Sequence, residues 1–212
     1  PLTKLKLNQF SGTSLDKYTT LIMVSGSYKQ LGKDEVKKIK KWVDKGNTLI
    51  TIARGSSWAI NSKLINESLV ESKKDSTYSR KNYVDAREHI GRERIGGVIL
   101  RADIDLTHPV AFGYNDTSIP VYKNNNVFIN KTYNDYSSVA TYSKDFHIDG
   151  YISELNKKDF IPGAASLIIS KIGTGRVVVF ADNPNFRGTW YGTNKLFLNA
   201  IFLGNNISVP SN

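Results

Sequence analysis

The residues with the most chemical potential stand together in one stretch, Phe-Ala-Asp-Asn-Pro-Asn-Phe-Arg-Gly-Thr-Trp-Tyr-Gly-Thr-Asn, residues 180–194. Asp182 offers a carboxylate, Asn183 and Asn185 offer amides, Arg187 a planar cation, and Trp190 and Tyr191 amphipathic rings. The stretch follows the most apolar run of the chain, Arg-Val-Val-Val-Phe, so it emerges at a strand's carboxyl end, where open α/β sheets bind ligands. Such a set suits a small-molecule or glycan pocket, with a few polar groups orienting the ligand against aromatic walls. It equally suits a structural loop, in which Asp and Asn satisfy backbone groups, Arg187 pairs with Asp182, and the rings pack on the last helix. Residue type alone leaves both readings open.

A second signature lies in Leu-Ile-Thr-Ile-Ala-Arg-Gly-Ser-Ser-Trp-Ala-Ile, residues 49–60. An apolar strand runs through a glycine turn into a helix, the sharp elbow on which a sheet raises a nucleophile. Here the elbow residue is Ala53, and the chain contains no cysteine. That absence excludes disulfides, thiolate zinc sites and cysteine nucleophiles together. Ser56 or Ser57 with Asp182 is the remaining hydrolase pairing, but no histidine stands in motif position to activate a serine.

The three histidines, His89, His108 and His147, sit in no H-x-x-E or H-E-x-x-H arrangement. Asp103, Asp105 and His108 do crowd together in Asp-Ile-Asp-Leu-Thr-His-Pro. Alternating aspartates on a strand face one side and could hold a hard cation, but capping a turn before Pro109 explains them more simply. No metal site is expected in this chain. The formal charge of +10 invites a nucleic-acid partner. However, Lys37, Lys38, Lys40, Lys41 and Lys45 flank Val36, Ile39 and Val43 at helical spacing, which describes a solvated helix face over an apolar stripe. No zinc-finger spacing or RNA-binding aromatic motif accompanies the charge, so no nucleic-acid partner is expected. No run approaches the roughly 18 apolar residues of a membrane span.

Positioning these groups requires an α/β scaffold. Thr20–Gly26 reads as a buried strand and Lys33–Gly46 as a helix with an acidic first turn and a terminal glycine. Residues 48–55 give a second buried strand, and residues 56–69 a second helix capped by Ser56 or Ser57. Strand and helix alternating through short joints imply parallel pairing. Residues 71–97 are charged and weakly periodic, as suits an exposed insertion. Extended segments follow at residues 96–114, 119–129 and 137–143, with Lys-Asn-Asn-Asn as a hairpin turn between Tyr122 and Phe128. Two more strands meet at Gly173-Thr174-Gly175. Thr193–Gly204, apolar nearly all round, reads as a buried helix. The 212 residues suit one domain.

The stretch Tyr18–Leu31, the following helix, and Asn47–Trp58 resemble the core of the class I glutamine amidotransferase-like fold. The resemblance implies a three-layer, flavodoxin-like α/β sheet, mostly parallel, with an antiparallel β-hairpin extension. It places the family's nucleophile at Ala53 with Gly55 as the elbow glycine, and its His-Pro-Glu on Asn183-Pro184-Asn185. The triad positions Ala53, Asn183 and Asn185 would then be degenerate. Any ligand would lie between Ala53 and Asn185, against Arg54, Ser56, Asp182, Asn183, Asn185, Arg187, Trp190 and Tyr191. The family's usual first strand has no counterpart before Thr20, so the sheet is expected to lack a strand or to leave one edge exposed.

Residues 96–114, Gly150–Asn156 and above all Gly175–Gly204 are similar to the C-terminal region of large secreted zinc carboxypeptidases of Bacteroidetes-type bacteria, enzymes with a carboxypeptidase A-like catalytic domain. This implies an accessory domain whose partner is an N-terminal carboxypeptidase domain of the same polypeptide. The resemblance puts the zinc ligands in that domain, leaves this chain without a cofactor, and implies a secreted or periplasmic location, with homo-oligomerisation as a further role.

Overall fold

The computed structural model describes residues 2–71, 82–86, 91 and 94–210. Eight strands form one mixed sheet: β1 (Thr20–Met23), β2 (Thr48–Ile52), β3 (Val98–Ile104), β4 (Ser118–Lys123), β5 (Ile129–Asn130), β6 (Ser138–Gly150), β7 (Ala164–Ile172) and β8 (Gly175–Phe180). The order is β1-β2-β8-β7-β6-β3-β4, with β5 on β7. The core that carries the elbow is parallel, β1 on β2 and β2 on β8, while β7, β6, β3 and β4 extend it antiparallel. The extension is therefore larger than a single hairpin. β2 and β8 are buried along their whole length, which is why both read as unbroken apolar runs rather than alternating ones.

Helices cover both faces. Helix α1 (Lys33–Asp44) buries Ile39, Trp42 and Val43. Its start is closed by the Gly32 N–H donating to Glu35 Oε2 at 2.8 Å, and Gly46 just beyond its end has φ 106°. Trp42 Nε1 donates to Leu15 O at 2.9 Å, tying the segment before β1 onto this face. Helix α2 (Arg54–Asn61) contributes Ile60 to the same cluster. Helix α3 (Tyr191–Phe202) covers the opposite face, where Leu196 and Ala200 join Ile50, Val178 and Phe180.

Three expectations need correction. Lys-Asn-Asn-Asn joins no hairpin: β4 pairs with β3, whereas β5 pairs with β7. The chain leaves β4 because Lys123 is drawn inward, onto Asp182. Helix α3 is not buried all round, since Leu198 and Phe202 are exposed and only one stripe faces the sheet. Helix α2 begins at Arg54, with Ala53 and not Ser56 or Ser57 at its N-cap. Most of the 71–97 stretch, His89 included, lies outside the described residues. The expected free edge is present: β1 ends the sheet and pairs only with β2 among the described residues.

Candidate functional site

The elbow begins where β2 runs out beside β8. Ala53 N donates to Phe180 O at 2.8 Å, so the last residue of β8 holds the turn in place. Ala53 adopts φ 50° and ψ −109°, and the helix starts at the next residue. A side chain at positive φ costs on the order of 1–3 kcal/mol and persists only where its surroundings over-determine it. Those surroundings are identifiable. Ser56, fully buried, donates its Oγ to Phe180 O at 2.7 Å and lies 3.0 Å from Thr51 Oγ1. Gly55 sits so close to the end of β1 that an added Cβ would stand 2.5 Å from Met23 O. The elbow is thus built from three strand ends, β1, β2 and β8, with the Ala53 methyl at its tip.

The polar loop after β8 does not form the expected single pocket. Ser56 is committed to Phe180 and Thr51, and Asp182 is turned into the interior. Asn183 Oδ1 accepts from Asn185 N at 3.0 Å, closing a local turn. Thr193 Oγ1 donates to Pro184 O at 2.8 Å and pins that turn to α3. Farther along, Phe186, Arg187 and Trp190 gather on β4. The Tyr122 ring lies 3.9 Å from Phe186 and 5.9 Å from Trp190, centroid to centroid. Trp190 Nε1 donates to Pro120 O at 3.2 Å, and the Arg187 guanidinium lies 5.2 Å over Phe186. Arg187 takes the left-handed conformation (φ 53°), and Arg54 and Tyr191 are exposed. The proposed Arg187–Asp182 pair does not form, because Asp182 has other partners.

Those partners are groups that sequence reasoning missed. Lys123, fully buried, donates to Asp182 Oδ1 at 2.9 Å and to Val127 O at 2.7 Å. Asp182 Oδ2 accepts from Tyr142 OH at 2.8 Å and from Ser166 Oγ at 2.7 Å. The Lys123 ammonium also sits 4.4 Å from the Phe128 ring centroid. β4 and β8 have three strands between them, and on a flat sheet with strands about 4.8 Å apart no lysine would span that gap. Asp182, however, stands in the loop beyond the end of β8, where Tyr142 of β6 and Ser166 of β7 also reach it, and register shifts interrupt the β3–β6 and β6–β7 ladders. Burial pushes the Lys123 pKa down while Asp182 opposes that, and burial pushes the Tyr142 phenol well up. The alternation in Ser-Ile-Pro-Val-Tyr-Lys was the available signal. Ile119 and Val121 point inward, and a period of two puts Lys123 beside them.

Asp105 and His108 serve the turn, whereas Asp103, on β3, is bonded across to β6 and takes no part in it. Asp103 accepts from Ser143 Oγ, Asp105 Oδ1 accepts from Thr107 N at 2.9 Å, and His108 Nδ1 accepts from Val110 N at 3.1 Å. Burial holds the His108 pKa below its ordinary value. No group of three potential metal ligands occurs among the described residues. A concavity of about 630 Å³ does exist, but it lies along the free edge of β1, lined by Leu5, Phe10, Leu21, Met23, Tyr28 and others.

No family model matches this chain, and no curated protein matches it in sequence. Solved structures do. A protein from Parabacteroides merdae described as ThuA-like superposes with a TM-score of 0.55 at 13% identity, covering 96% of this chain and 76% of its own. PurLQS from Thermotoga maritima gives 0.52 at 16% identity, with 89% and 81% covered. A protein from Thermoplasma acidophilum described as part of a GMP synthase gives 0.50 at 15% identity, with 91% and 75% covered. At such identities the likeness concerns the fold, which is α/β of the class I glutamine amidotransferase-like kind.

Proposed function

We propose that the chain is a non-catalytic accessory domain: an amidotransferase-like fold whose active site has been vacated, attached to a zinc carboxypeptidase. The carrying observation is Ala53, a methyl held at φ 50° on a strand-to-helix elbow of the kind that presents a nucleophile. Asn183 and Asn185 stand where the resemblance puts base and orienting carboxylate, and amides do neither job at neutral pH. The parentage rests on the similarity of Gly175–Gly204 to the C-terminal region of large secreted carboxypeptidases. In this reading zinc and the catalytic glutamate belong to an N-terminal domain of the same polypeptide, which is secreted or periplasmic. This domain then acts by packing, oligomerisation or substrate presentation. The test is to assay the purified chain for ammonia release from glutamine and for release of C-terminal amino acids from peptides. Neither is expected. Peptidase activity abolished by a chelator would overturn the reading.

A second reading, a small-molecule or glycan-binding domain, is favoured by one observation, the Tyr122–Phe186–Trp190 ring cluster with exposed Arg187 and Tyr191 beside it. Its test is a titration of tryptophan fluorescence with oligosaccharides. A saturable change lost in Trp190→Ala would support it over pure packing.

A further inference from the structure

At the opposite end of β8 from the elbow lies a buried cation with no ion-pair partner among the described residues, Arg176, which is 6% exposed. Its Nη1 donates to Gly204 O at 2.8 Å and its Nη2 to Thr174 O at 2.7 Å. A guanidinium carries five N–H donors, so three remain, and Nε is buried with no partner. Thr48, in register with Arg176 on β2, has a buried Oγ1 that is also unpartnered. Both lie against Gly204, two residues beyond the end of α3. Leaving a buried charge uncompensated is costly, and carbonyl oxygens alone do not neutralise it.

The guanidinium borders a recess of about 230 Å³, lined also by Lys171, Thr174, Asn205 and Asn206. Lys171 is the cross-strand partner of Arg176 in the β7–β8 hairpin and lines the same recess, so two cationic side chains border one cavity. Among the described residues no carboxylate lines the recess, and Asp44 lies behind Gly173. The remaining lining is uncharged: Thr174, Asn205, Asn206 and Ser208 can hydrogen-bond, and two glycines, Ile207 and Val209 complete it. We propose that this recess binds a small dianionic oxyanion of the phosphate class, held by the Arg176 guanidinium and the Lys171 ammonium. Two formal positive charges facing one cavity match a dianion better than a monocarboxylate, and a guanidinium fork matches its paired oxygens. The site is independent of the elbow and of the carboxypeptidase parentage.

The test is a titration of the 15N-labelled chain with inorganic phosphate, ionic strength being held constant with chloride. Expected are saturable shifts at the amides of Gly173, Thr174, Asn205 and Asn206, half-complete in the low-millimolar range. Arg176→Met removes the guanidinium but also its bonds to Thr174 O and Gly204 O, so its failure to bind could reflect unfolding. Asn205→Asp places a carboxylate in the recess without touching those bonds, and should weaken phosphate binding at least tenfold. Acetate should bind at least tenfold more weakly than phosphate. Shifts that do not saturate, equal responses to acetate, or indifference to Asn205→Asp would each overturn the assignment, as would a recess holding ordered water only.

Discussion

Two ends of the same sheet treat chemistry-bearing residues in opposite ways. At the elbow, the backbone keeps a strained geometry suited to a nucleophile, yet its tip is a methyl group. In the antiparallel half, Lys123, Asp182, Tyr142 and Ser166 have the chemistry an active site would want, yet they are sealed inside and satisfy one another. Strained backbone holds with no reactive group at its tip because neighbouring strand ends impose it. Reactive groups, conversely, become structural once water and substrate cannot reach them.

The sealed network should dominate stability. Asp182→Ala leaves the Lys123 ammonium buried and unpaired, and is expected to cost about 3–5 kcal/mol in urea unfolding. Lys123→Met combined with Asp182→Leu should recover most of that loss, because an apolar pair replaces an ionic one. If the single substitution costs under about 1 kcal/mol, the network is not a structural ion pair and the contrast collapses.

At the elbow the critical atom is a missing one. Gly55→Ala would put a Cβ 2.5 Å from Met23 O, a backbone atom that cannot swing aside. Overpacking of this kind costs about 1–3 kcal/mol. A neutral outcome would mean that β1 does not pack on the elbow.

Alkaline pH probes the phenols flanking both regions. Burial raises the Tyr28 and Tyr114 pKa values from 10.0 to about 12, and Tyr28 donates to Val24 O at 2.6 Å just past β1. Between those values the unfolded chain has lost protons that the fold retains, so the unfolded state binds fewer and stability falls as pH rises. Unfolding midpoints should therefore decline from pH 10 to pH 12, less steeply in Tyr28→Phe. Lys123, whose ammonium burial disfavours, works the other way up to its ordinary 10.5.

The smallest effect is expected at Ala53 itself. Ala53→Gly relieves positive φ but loses a buried methyl worth about 0.8 kcal/mol and loosens the unfolded chain by roughly 0.5–1 kcal/mol. The terms nearly cancel, and a net change within about 1 kcal/mol is expected from calorimetry. A loss above that would show that Ala53 is unstrained.

Much of this was legible in the chain. β1, β2, α1, the β7–β8 hairpin and the elbow all follow from local pattern, because glycine turns and unbroken apolar runs carry their own signal. Lys123 was not legible as a buried residue, since a lysine before three asparagines looks like a turn. Its burial goes with a bond to Asp182, 59 residues away, across a sheet whose register no local window reveals. Helix α3 misled for the opposite reason: Leu198 and Phe202 are apolar, yet the sheet offers α3 only one face. The polar loop after β8 was placed correctly at a strand end, but its residues divide between interior, local turn and β4.

The proposal that the elbow is vacated is tested most directly by ammonia release from glutamine in Ala53→Cys. The new thiol would stand at the tip of the turn with a pKa near ~8.5 if nothing perturbs it. On the proposed placement of Asn183 and Asn185 at the base and carboxylate positions, nothing would draw off its proton. The result expected is no release above the parent chain. Turnover above that background would show that a base is already present and that the site was never vacated beyond a single atom's chemistry.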